Sequence, residues 1–153
     1  MKATVLAFGL SSLALGACVQ QTASPKTMPG PVMSVAEAKA AALDNRKDEL
    51  MRELATCESG GHGESDRPIY GGRGMFVGRF QFMPATVRAV IQQRDGTLLS
   101  MREATDLAHD YEKARELAKY MIFEQGQINA WPACARKLGL HQQVSEIQSA
   151  QAQ

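Results

Sequence analysis

The sequence predicts a mostly α-helical domain, and three observations carry that prediction. Ser34-Val35-Ala36-Glu37 and Ser100-Met101-Arg102-Glu103 both read as capping boxes, in which a serine hydroxyl and a glutamate three residues on satisfy free backbone donors at a helix start. Apolar residues recur at three- and four-residue steps, as in Leu50, Met51, Leu54 and Cys57. No alternating run is long enough for a substantial sheet. With 153 residues, 44% hydrophobic and 22% charged, the chain has material for one core and a tail. The formal net charge is +1, and setting residues 1–17 aside removes only Lys2, leaving 16 basic against 16 acidic residues. That balance offers no electrostatic footprint for nucleic acid.

Residues 1–17 place Lys2 ahead of an uncharged, largely apolar run from Ala3 to Ala17. This is the pattern of a secretory signal and is short for a membrane-spanning helix. Residues 18–33 then turn to Gln, Thr, Ser, Pro and Gly with few large hydrophobes, which makes them a flexible tether. The domain spans 34–140. Its Ala-rich start has high helix propensity, and Leu43, Lys47, Leu50, Leu54 and Cys57 share one face. One helix, or two abutting helices, therefore runs to Glu58. Most charges between Asp44 and Glu53 read as its solvated face.

His62 to Val77 is rich in glycine and polar residues and reads as a loop or a small irregular hairpin. Pro84 opens a helix carrying Val87, Val90 and Ile91, which ends near Asp95-Gly96. Beyond the Ser100 capping box, a single long helix is predicted from Asp106 to Gln125, stopped by Gly126. Leu107, Tyr111, Ala114, Leu117, Met121 and Ile122 form its buried stripe. Residues 141–153, rich in Gln, Ser and Ala, read as a frayed polar tail. His109 has no companion His or Cys at ligand spacing, so it reads as a solvated or hydrogen-bonded helix residue, and no metal site is expected.

Glu58 is where the pattern breaks. At 100° per residue it falls in line with Met51 and Leu54, on the apolar stripe rather than the polar face. Burial there would raise its pKa, as a general acid working near neutral pH requires. The competing reading is an exposed Glu in a last helical turn closed by Gly60-Gly61.

Downstream segments bear on that choice. Gly78-Arg79-Phe80-Gln81-Phe82-Met83-Pro84-Ala85-Thr86 resembles the Gly-x-x-Gln-x-Met-Pro-x-Thr segment of soluble lytic transglycosylases. Gln125-Gly126-Gln127-Ile128-Asn129-Ala130-Trp131-Pro132-Ala133-Cys134, followed by Leu138-Gly139, resembles the closing segment of resuscitation-promoting factors, whose domains also open with Cys-Glu-Ser-Gly-Gly as at 57–61. The matches keep their order over residues 50–140. The resemblance implies a small lysozyme-like transglycosylase domain with Glu58 as catalytic acid, and with Ser59, Tyr70 and Gln81 among the substrate-binding residues. Gln81 would contact substrate or orient the acid. Glu58 and Gln81 stand a few residues further apart than in the family, so Tyr70-Gly71-Gly72 and Val77-Gly78-Arg79 both fit one family position. Trp131 reads as core.

Leu15-Gly16-Ala17-Cys18 resembles the lipobox of bacterial lipoproteins, which implies lipidation of Cys18 and a chain anchored to a membrane in the cell envelope. In a diderm host that would be the periplasmic face of the outer membrane. A soluble secretory signal cut after Gly16 is the alternative. Of the three cysteines, assigning Cys18 to lipid leaves Cys57 and Cys134, and the family carries a disulfide at matching positions. A thiol nucleophile at Cys57 lacks support from His62, His109 or any oxyanion motif.

By the same resemblance, protonated Glu58 would donate to the glycosidic oxygen between N-acetylmuramic acid and N-acetylglucosamine in peptidoglycan. As a carboxylate it would then take the proton of the muramic acid 6-hydroxyl, giving a 1,6-anhydro product with no cofactor or metal. If Glu64 or Asp66 faced Glu58 as a second carboxylate, a hydrolysing muramidase would be the reading. A non-catalytic peptidoglycan-binding lipoprotein of an envelope-spanning machine is the third.

Overall fold

The computed structural model describes residues 33–152. The expected signal segment at 1–17, Cys18 and most of the expected tether lie outside the described residues. The described part is mostly helical, with six α-helices and two short strands.

Helix α1, Val35–Glu58, is one continuous helix. The Ser34 Oγ accepts from the Glu37 N–H at 3.2 Å while Glu37 Oε2 accepts from the Ser34 N–H at 2.8 Å, so the capping box closes as the sequence predicts. Strands β1, Tyr70–Gly71, and β2, Phe76–Val77, pair antiparallel around a 3₁₀ turn at Gly72–Gly74, with Tyr70 opposite Val77 and Gly71 opposite Phe76. The glycine-rich stretch is thus a short hairpin. Of the two segments weighed in the sequence, Tyr70-Gly71-Gly72 covers β1 and the start of the turn, and Val77-Gly78-Arg79 the end of β2 and the residues after it. Helix α2, Pro84–Asp95, begins on its proline and ends in a left-handed Gly96 at φ 70°.

The long helix expected over 106–125 is divided. Helix α3, Met101–His109, stops at Asp110, which caps helix α4, Tyr111–Lys119. The Asp110 carboxylate accepts from the Lys113 N–H at 3.0 Å, and Asp66 from the preceding loop accepts from the Tyr111 N–H at 2.7 Å. Two carboxylates thereby take donors that an unbroken helix would have bonded internally. Residues Tyr120–Glu124 then widen into a π turn, with the Gln125 N–H reaching the Tyr120 carbonyl.

Helix α5, Pro132–Leu138, is followed directly by α6, Leu140–Gln151. The expectation of a frayed tail after residue 140 is therefore corrected. Leu140, Val144 and Ile147 form a narrow i, i+4, i+7 stripe that is fully buried, and tertiary contact orders a segment whose composition is polar. Helix α1 is the hub, packing against α4, α5 and α6, while α3 packs between α2 and α4. Beside the hairpin, Phe80 stacks on both Phe82 and Tyr111, Phe82 meets Trp131 edge-on, and the Trp131 indole N–H donates to the Phe80 carbonyl at 2.8 Å. Trp131 is buried, as core.

Candidate functional site

Glu58 is the last residue of α1, and the backbone beyond it turns away at once. The Gly61 N–H bonds the Thr56 carbonyl at 2.8 Å and the Gly60 N–H the Cys57 carbonyl at 3.4 Å, with Gly60 left-handed at φ 68°. This pair of bonds is a Schellman closure, which needs the freedom of glycine at its turning residue. The Glu58 side chain is half-buried, and burial pushes its carboxyl above the ordinary carboxylate range. Its place at the negative end of the helix dipole, with no basic residue in the last turn, acts in the same direction.

Around Glu58 lies a cavity of about 260 Å³, built from three parts of the chain: the end of α1, Phe76 and Gln81 on and after the hairpin, and Ala130 to Ala133 at the start of α5. Glu58 is the one titratable group lining it among the described residues. Gln81 is held in a left-handed conformation at φ 49°, and its Nε2 donates to the Gly78 carbonyl at 2.8 Å. A Cβ on Gly71 would lie 1.9 Å from the Gln81 Oε1, so only glycine lets β1 pass the amide. Gly78 is as tightly placed, since a Cβ there would meet the Ala108 carbonyl oxygen at 1.7 Å. The hairpin base is thereby pressed onto the end of α3.

The other residues singled out from the sequence fall elsewhere. Ser59 is buried, and its Oγ accepts from the His62 N–H at 3.2 Å, closing the turn after α1. Tyr70 is 59% exposed and sets its ring edge-on against His109 at 4.9 Å, outside the cavity lining. Glu64 is ion-paired with Arg52, which also binds Glu49, and Asp66 caps α4. Neither carboxylate lines the cavity of Glu58. Of the candidates, the fold brings Glu58 and Gln81 together.

The sulfurs of Cys57 and Cys134 are bonded, with Cα atoms 6.0 Å apart. The bridge ties the last turn of α1 to α5 beside two cavity-lining residues, Glu58 and Ala133. For a separation of 77 residues the chain-entropy argument gives a stabilisation of about 4 kcal/mol. His109 departs from its expectation. Both ring nitrogens are buried and neither finds a hydrogen-bond partner among the described residues.

Two contributors escaped the sequence reading. Phe76 sits in a glycine-rich stretch without periodicity, and nothing local marks it as cavity lining. Arg79 is buried, its Nε donating to the Ser65 carbonyl at 3.0 Å and its Nη2 to that of Arg67 at 3.3 Å, so it straps the 62–69 loop. Its place inside the Gly-Arg-Phe-Gln segment was the available signal, set against the usual exposure of arginine. A larger groove of about 860 Å³ runs past Glu49, Arg52, Glu53, Gly60 and Lys137, but its acids and bases are exposed and Arg52 is already engaged by Glu49 and Glu64.

Among the described residues no three His, Cys, Asp or Glu side chains converge as a metal-binding group, and no helix is long and apolar enough to cross a membrane. The chain matches no family model, no curated protein and no solved structure.

Proposed function

We propose that this chain is a peptidoglycan lytic transglycosylase with a lysozyme-like domain, acting on the bond between N-acetylmuramic acid and N-acetylglucosamine. The observation that carries the reading is Glu58 standing alone as the titratable group of a cavity that half-buries it, with its carboxyl pushed toward the protonated form. A protonated carboxyl donates to the glycosidic oxygen as the bond breaks. The resulting carboxylate takes the proton of the muramic acid 6-hydroxyl, whose oxygen attacks its own anomeric carbon. One carboxyl thus serves as acid and then base, and water is not consumed. Gln81, fixed through Gly78, lines the same cavity and is the group to orient the sugar or the acid.

A hydrolase of the common kind needs a second carboxylate across the scissile bond. The engagement of Glu64 by Arg52 and of Asp66 by α4 favours the single-acid route. Lipidation at Cys18 and an envelope location belong to the same proposal.

The test is mass spectrometry of soluble products released from peptidoglycan by the purified protein and by Glu58→Gln. Anhydro-muropeptides are expected from the wild type, with at least a ~100-fold loss in the variant, the lower end of what a general acid supplies. Reducing-end products would replace the transglycosylase with a muramidase. Sacculus binding without any products would leave a binding module.

A further inference from the structure

The hairpin that supplies Phe76 and backs Gln81 rests on α3, and two of its contacts there are specific. One is backbone packing, Gly78 against the Ala108 carbonyl, and the other is the edge-on contact of Tyr70 with His109. The second contact is unusual because the imidazole beneath Tyr70 has two buried nitrogens and no hydrogen-bond partner for either among the described residues. An apolar ring would fill that space without leaving polar atoms unsatisfied. Histidine differs from such a ring in being able to take up a proton near neutral pH.

We propose that His109 is a positioning residue that latches the hairpin wall of the Glu58 cavity, docked while the imidazole is neutral and released when it gains a proton. The groups facing the ring set the direction. Burial disfavours the imidazolium, the Arg79 guanidinium acts the same way, and Asp106 one turn earlier on α3 opposes them. Tyr70 presents its phenol ring edge-on from β1. The docked hairpin therefore holds His109 below its ordinary pKa of about 6.5, and the undocked hairpin returns it to that value. Docking is at full strength above about pH 6.5 and weakens up to tenfold per pH unit between there and the lower pKa of the docked state.

Release would withdraw Phe76 and remove Gly71 from behind Gln81, deforming the cavity while α1 and Glu58 stay in place. As an account of catalysis this rests on the reading of Glu58 as the acid, but the latch itself does not. Glu58 must be protonated to donate, so its own titration removes activity only toward alkaline pH. A loss of cleavage on the acid side is the signature of His109.

The deciding experiment is an NMR titration of the whole purified protein, following the His109 ring and the Tyr70, Gly71 and Phe76 amides. A shared midpoint below about 6.5 is expected, and hairpin amides that stay still while His109 titrates would overturn the latch. His109→Phe keeps an aromatic ring under Tyr70 without a titrating group. Its hairpin signals are expected to be pH-independent, its neutral-pH cleavage to stay within about twofold of wild type, and its acid-side loss to disappear. An acid-side loss that persists in this variant would also sink the proposal. Should His109→Phe fail to fold, the wild-type titration still decides. A hairpin that titrates with His109 in a protein that releases no glycan at any pH would keep the latch and refute the enzyme.

Discussion

The two halves of α1 are built from the same kind of sequence and have different work. From Val35 to Glu49 the helix is held by a closed capping box, good propensity and peripheral ion pairs from Asp44 and Asp48 to Lys119 and from Arg46 to Glu146, with Val35 88% exposed and no residue fully buried. From Leu50 to Glu58 it is held by a buried face. Leu50, Met51, Leu54 and Ala55 are buried, Cys57 is tied to α5, and a Schellman turn closes the end. In the first half Glu37, Asp44 and Glu49 are exposed and the partly buried Asp48 is paired with Lys119 and Arg115, whereas Glu58 in the second is half-buried and pushed toward its neutral form. The chemistry of an acid on this helix is thus decided by what packs around it, more than by the helix that carries it.

Substitutions that treat the halves alike should separate them. The largest difference is expected at equivalent leucines. Leu54→Ala removes a wholly buried side chain and should lower global stability by about 2–5 kcal/mol. Leu43→Ala, at a partly exposed position, should cost below about 1 kcal/mol. Urea denaturation of both variants checks this, and similar midpoints would show that the first half is packed as tightly as the second. Ser34→Ala comes next, with a loss of ~1 kcal/mol confined to the first turns. Hydrogen exchange should then quicken at the amides of residues 36–38 and stay unchanged near Glu58.

The smallest effect is the most informative about the site. A carboxyl whose pKa is raised by folding stabilises the native state below its unfolded value and loses that contribution as pH rises through the folded value. Glu58→Gln cannot ionise, so its melting temperature should exceed that of wild type at pH 7 and converge with it near pH 4. A variant no more stable than wild type at either pH would mean that Glu58 bears no burial cost.

Much of this was legible before the fold was known because its causes are local. Both capping boxes, the Pro84 start and the Gly96 stop depend on residues within one turn of each other, and each closes where the sequence places it. The division at Asp110 was not legible, because it depends on Asp66 arriving from a loop 45 residues before Tyr111 to take the Tyr111 N–H. Helix α6 was hidden for a related reason, since three apolar residues in a polar stretch specify little until α1 and α5 supply the surface they cover. The sequence could name Glu64 and Asp66 as candidate second carboxylates but not show what engages them, because their partners Arg52 and the Tyr111 N–H lie on other elements.

By itself, then, the sequence determined the helical class, the ends of α1 and α2, the start of α3, and an acid placed on an apolar stripe ahead of a glycine stop. Those follow from side-chain spacing and from backbone donors that neighbouring residues must satisfy. The tertiary structure alone decided that Glu58 shares a cavity with Gln81, Phe76 and the 130–133 segment, and that the hairpin rests on a histidine without a hydrogen-bond partner among the described residues. Burial and desolvation are properties of surfaces brought together from distant parts of the chain, and spacing along the chain does not contain them.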